Sequence, residues 1–152
     1  MNKSIDTEIA DGIVAMLEEA KSTFSADFEA ERLLLPRRDS KELLHKTVVD
    51  VIPVGIRSEL LNRKRFQETY IVHWAITSGR IGELNSPDEV DGLGYLRQEI
   101  QKFIQQPENR YISLTEGRAT LTFSQPFVNY SIDHLFSKKL YLCPVETHWI
   151  VP

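Results

Sequence analysis

Two stretches constrain the fold more than any others: "KTVVDVIPVG" at 46–55 and "RFQETYIVHWAITSG" at 65–79. The first is dense in β-branched residues and predicts a strand, with Pro53 and Gly55 as its stop. In the second, Phe66, Tyr70, Val72, Trp74 and Ile76 alternate with Thr69, Ile71, His73, Ala75 and Thr77. Both faces carry apolar residues, so this strand is expected to lie centrally in a sheet. The two strands form a hairpin whose connection, about a dozen residues, is long for its type. A loop of that length in a compact domain is expected to bind something.

The remaining elements fit around that hairpin. Ile5, Ile9, Ile13, Met16, Leu17 and Ala20 recur at helical spacing, with Asp6 and Glu8 in the first turns and Lys21 at the end. Gly12 within this helix costs of order 1 kcal/mol relative to alanine. "ADFEAERLLLP" reads as a strand ended by Pro36. "NSPDEV" opens a second helix, with Ser86 as cap, Pro87 at the first position and Glu89 completing a capping box. Leu93, Leu96, Ile100, Phe103 and Ile104 form its buried stripe, and Pro107 stops it. "YISLT" and "RATLTF" flank a turn at Glu116–Gly117; "SQPFVNYSIDHLFS" reads as a connector. "KKLYLCPVETHW" is a closing strand whose Pro144 suggests an edge position or a bulge. The whole, residues 1–152, predicts one α+β domain: a mixed, mostly antiparallel sheet with two main helices and a long β-hairpin loop.

Composition narrows the function. Eighteen Lys and Arg against twenty-two Asp and Glu leave a net charge of −4, which argues against a duplex binder working by overall basic excess. Cys143 is the one cysteine, which excludes an intramolecular disulfide and suits a reducing compartment. The N-terminal stretch has acids and no uninterrupted apolar core, unlike a signal peptide. No stretch is long and apolar enough for a bilayer span. The expectation is a soluble protein made in the cytoplasm. His45, His73, His134 and His148 form no metal-ligand spacing, and Cys143 with His148 is at best half a site. The seven glycines make no phosphate loop, and no serine stands in a nucleophile elbow. No enzyme activity, metal or cofactor is expected.

Three basic patches remain: Arg37–Arg38, Lys138–Lys139, and Arg57 with Arg63, Lys64 and Arg65. The first two read as solvated loops or edge strands. The third lies beside Ile56, Leu60 and Leu61, and apolar residues next to cations resemble an interface core with its rim. Candidate interface residues are therefore Arg57, Leu60, Leu61, Arg63, Lys64 and Arg65. Phe127, Val128 and Tyr130 join them from a connector, 124–137, too apolar for a solvated loop.

"TVVDVIPVG", the basic loop, "RKRFQETYIVHWAI", "LGYLRQEIQKFI", "YSIDHL" and "KKLYLCPVETHW" together resemble tailed-bacteriophage neck proteins of the tail-terminator type. The resemblance covers most of the chain in element order, through short and diffuse motifs. It implies a virion structural protein whose copies close into a ring, commonly six-fold, on the tail tube, with the head-side connector as a further partner. No membrane and no sequence-specific nucleic acid are implied. The connector at 124–137 and Pro144 depart from the pattern, which leaves other neck components, such as a head-closure protein, open. A nucleic-acid-binding module using the basic hairpin is the alternative from another class.

Overall fold

The computed structural model describes residues 2–33, 46–79, 87–126 and 141–152. In chain order the elements are α1 (Ile5–Ala20), a short 3-10 turn, β1 (Glu29–Arg32), β2 (Thr47–Asn62) and β3 (Arg65–Ser78). Then come α2 (Pro87–Gln105), a second 3-10 turn, β4 (Tyr111–Leu114), β5 (Gly117–Pro126) and β6 (Tyr141–Ile150). The six strands form one sheet in the order β1-β2-β3-β6-β5-β4. Only the β1–β2 pairing is parallel. The fold is α+β with a mixed, mostly antiparallel sheet.

The two-faced apolar pattern of β3 has the consequence it predicts, a position between β2 and β6. Its even-numbered residues Tyr70, Val72, Trp74 and Ile76 are buried in the core. There they meet Val49 and Val51 of β2, and Cys143, Val145 and Trp149 of β6. Ile9, Ala10, Ile13 and Leu17 of α1 close this face, as do Leu93, Leu96, Ile100 and Ile104 of α2. Phe103, the remaining member of the α2 stripe, is half-buried and meets Phe24 edge-on at 5.4 Å. Each side chain removed from water here contributes about 1.5–3 kcal/mol before entropy is counted.

One buried indole is paired inside the core and the other, Trp74, has no hydrogen-bond partner for its Nε1 among the described residues. The Trp149 indole N–H donates to Thr147 Oγ1 at 2.8 Å, and that hydroxyl donates to the Val72 carbonyl at 2.5 Å. Around the rim, Asp11 of α1 takes Arg32 of β1 at 2.7 Å and Lys3 at 2.6 Å. Burial pulls the Asp11 carboxyl upward, but these two hydrogen bonds and their charges outweigh it and leave it below its usual range. Gly12 faces Ile112 of β4, where an added Cβ would overlap the Ile112 Cγ2. Gly117, at φ +102°, supplies the left-handed backbone between β4 and β5 that a side chain would resist.

The sheet departs from the sequence expectations in three places. Pro53 and Gly55 do not end β2; the register shifts between them, and the strand runs on to Asn62. A β-bulge accommodates both residues without terminating the pairing. Second, the expected loop of about a dozen residues is a paired ribbon closed by the two residues Arg63 and Lys64. Third, Pro144 lies in an inner strand rather than at an edge, and the β3–β6 register passes through it unshifted. The described pairing of β5 with β6 ends at Pro126↔Val145, one residue before Pro144.

Candidate protein interface

The ribbon is the candidate site. Among the described residues, β1 pairs with β2 only as far as Val51, and β6 pairs with β3 only from Thr69 onward. Beyond those points β2 and β3 pair with each other alone, Ser58↔Glu68 through Asn62↔Arg65, forming an arm ~17 Å long at the usual rise per residue. The Asn62 carboxamide accepts the Lys64 N–H at 2.9 Å and braces the turn. The tip therefore places Arg63, Lys64 and Arg65 together in solvent.

Register assigns the two faces of the arm. Directly opposed residues share a face, and residues two apart along a strand share it as well. Tyr70 faces the helices, so Ile56 opposite it does too; two residues on from Tyr70 come Glu68, opposite Ser58, then Phe66, opposite Leu60. Ile56, Leu60 and Phe66 thus continue the helix-covered face of the sheet outward past the helices. Leu60 is 63% exposed and Phe66 69%. The other face carries Arg57, Glu59, Gln67 and Thr69, with Arg57 and Glu59 3.5 Å apart. An exposed pair like that contributes little to stability. Leu61 falls in a second register shift between Leu60 and Asn62 and is also exposed.

At the arm's root the Tyr70 hydroxyl donates to the Glu68 carboxylate. Burial, then this bond and the Glu68 charge, with Asp6 adding to it, push the phenol up to about 12. This is a buried anchor from which the arm projects.

Of the sequence candidates, the structure brings Arg57, Leu60, Leu61, Arg63, Lys64 and Arg65 together on the arm. Phe127, Val128 and Tyr130 lie outside the described residues, as do Ser86, the Arg37–Arg38 and Lys138–Lys139 patches, His45 and His134. Phe66 points the same way as Tyr70, Val72, Trp74 and Ile76, as the alternation implies, but it lies past the helices and is exposed. Its cross-strand place opposite Leu60 is invisible until the ribbon is known to pair to its tip.

Two further features away from the arm bear on chemistry. On the sheet face away from the helices, His73 Nε2 lies 3.3 Å from Glu146 Oε1, and His148 Nε2 lies 3.2 Å from Glu146 Oε2. The second contact is close but not aligned as a hydrogen bond. The Phe123 ring covers His148 at 4.6 Å between centroids. Cys143 is buried on the opposite face of β6, so it and His148 do not form the half-site their spacing suggested. Among the described residues, no group of three or more His, Cys, Asp or Glu could hold a metal ion. The other feature is a cleft of about 450 Å³ lined by Asn2, Lys3, Ile5, Glu8, Thr115 and Glu116. Glu8 accepts from the Thr115 N–H at 3.3 Å and from its hydroxyl, tying α1 to the β4–β5 turn. That bond is structural. Among the described residues, no helix is long and apolar enough to cross a membrane. Comparison with models of protein families and with curated proteins finds no match for the chain.

Proposed function

We propose that this chain is a structural subunit of a tailed-phage neck, of tail-terminator type, which works by assembling with copies of itself and capping the tail tube. The observation that carries this reading is the arm. A two-stranded ribbon that, among the described residues, has no third strand and no covering helix is at best marginal in water, and this one exposes Leu60, Leu61 and Phe66, with Ile56 exposed at its root. Such apolar exposure beside a cationic tip marks a contact made with another macromolecule. Residues 54–69 hold four cations and two acids, a net +2, so the rest of the −4 chain totals −6. An adjacent copy therefore presents the charge that the tip attracts. The order of elements supports the neck assignment through the resemblance set out above.

The apolar face weighs against the nucleic-acid alternative. Binding to phosphates uses cations and stacking rings, and it leaves Ile56 and Leu60 without a role. Native mass spectrometry and negative-stain microscopy of concentrated protein, alone and with tail-tube protein from the same genome, test the proposal. Closed rings, or arrest of tube growth, are expected. A monomer that neither closes into rings nor arrests tubes, and that binds DNA with steep salt dependence, would sink it.

A further inference from the structure

We infer that the apolar face of the arm docks on the outward face of α2 in a second copy, centred on Asp91, Gly92 and Tyr95. The inference rests on the self-assembly reading above and names the surface that receives the arm.

The arm lacks a layer that the body of the sheet has. Along the body of the sheet, this same face is covered by α1 and α2; at Ile56, Leu60 and Phe66 it is bare. What fits a bare sheet face is a helix with an apolar side chain pointing outward. Among the described residues, Tyr95 is the one large apolar side chain strongly exposed on a helix, at 57%. In the same chain both surfaces are exposed, so they do not cover each other.

Gly92 points to the same surface. In α1, Gly12 has a reason within the fold, because Ile112 occupies the place of its Cβ. Gly92 has none: a Cβ there would meet nothing within 4 Å, and the residue is exposed. A glycine inside a helix is a standing cost relative to alanine. Asp91 and Tyr95 lie on the face of α2 turned from the buried Leu93, Leu96 and Ile100, and Gly92, exposed and three residues before Tyr95, lies on the flank between that face and Leu96. A bare patch of backbone beside a protruding ring admits close approach by a ribbon from outside.

Charge then selects the pairing. Two arms packed face to face would bring +2 against +2, whereas the arm against the body of a neighbour brings +2 towards −6. Asp91 stands beside the docking centre, and Lys102 lies about two turns further along the helix, ~10 Å away. The contact is therefore heterologous, arm to α2, and propagates from copy to copy.

Cysteine cross-linking in the full chain tests this, since Cys143 is buried and leaves the background clean. Leu60→Cys mixed with Tyr95→Cys is expected to give a disulfide-linked heterodimer, and the double variant a ladder of oligomers. Gly92→Gln should leave the monomer folded, with an equal or higher melting temperature, yet weaken assembly about tenfold or more. A destabilised fold cannot produce that combination. A dimer from Leu60→Cys alone would show arm-to-arm packing and overturn the inference, as would assembly unchanged by Gly92→Gln. Rings or arrested tubes with no Leu60–Tyr95 cross-link would sink this docking site and leave the proposed function standing. Absence of rings and of tube arrest would sink the function itself.

Discussion

Replacing Gly12 by alanine should destabilise the protein, although helix propensity alone predicts a gain. In an exposed helix the change yields about 1 kcal/mol in favour of alanine. Here the new Cβ would overlap Ile112 Cγ2 while sitting 3.4 Å from Cδ1 and 3.5 Å from Cβ of the same side chain. Ile112 is buried, and a β-branched side chain has little rotational freedom with which to yield. Overpacking of this kind costs ~1–3 kcal/mol. After the propensity gain, a net loss of up to about 2 kcal/mol remains, or up to ~8 °C in melting temperature for a domain of this size. Urea unfolding followed by the fluorescence of Trp74 and Trp149, both fully buried, reads it directly. Ile112→Ala removes the opposing atoms at its own cost of ~2–4 kcal/mol. In that background Gly12→Ala should be neutral or stabilising by up to ~1 kcal/mol. If Gly12→Ala raises the urea midpoint of the wild-type protein, or acts equally in both backgrounds, the close approach of α1 and β4 does not govern that position.

Exchanging Arg63, Lys64 and Arg65 for glutamate should leave the monomer's unfolding midpoint nearly unchanged, because loop-tip side chains in solvent hold no core contact. The same variant should lose ring formation or tube docking; normal assembly would reduce the patch to a solvated turn. Thr147→Val breaks the relay from Trp149 to the Val72 carbonyl and strands an indole N–H in the core. A loss of ~1–3 kcal/mol in urea is expected, and an unchanged midpoint would show that the relay is dispensable. Tyr70, raised to about 12 from an ordinary 10.0, keeps its proton in the folded state after the unfolded state has lost it. Its contribution is therefore intact below pH 10 and declines as pH rises through 10–12, by up to ~2.7 kcal/mol. Tyr70→Phe should flatten that alkaline decline, and an identical pH profile would refute the assignment. Asp11 works at the other end. Its lowered carboxyl stabilises above the ordinary value of 3.8, and that contribution disappears as pH falls through the lower folded value. Asp11→Asn should lessen the acid sensitivity of the melting temperature, and an unaltered acid limb would count against the Lys3 and Arg32 contacts.

The parts of the fold legible in the sequence were those set by burial. β3 could be placed centrally because both its faces carry apolar side chains, and the helices because Ile9, Ile13 and Leu17, or Leu96, Ile100 and Ile104, repeat at helical spacing. What escaped was set by register. Past Pro53 the pairing of β2 is held by main-chain bonds to β3, and the side chains there stay in solvent, so no buried pattern announces the strand. A rule that proline and glycine end strands then outweighs a weak alternation. Pro144 misled for a related reason: the place of β6 between β3 and β5 is a matter of topology, which the sequence of β6 alone does not carry. His73 and Glu146 became neighbours only through the β3–β6 register; alone, "ETH" is an unremarkable strand fragment. For the candidate site, the cations and leucines of the tip were visible as a cluster, but not that Leu60 and Phe66 lie on one side and Arg57 and Glu59 on the other.

β6 comes after both of its neighbours in the chain and yet lies between them. During synthesis, then, β3 and β5 emerge as the borders of two separate half-sheets, each with an unsatisfied row of amides and carbonyls, until residues 141–150 arrive to join them. Folding of the body is consequently a late event with high contact order, and the nascent chain is at its most adhesive just before it. The β2–β3 ribbon, built from local pairs alone, faces no such delay. A polysome-bound chain lacking 141–150 can have its arm in place before it has a domain to carry it, so a chaperone that shields the bare borders of β3 and β5 would also keep neighbouring nascent chains from meeting prematurely.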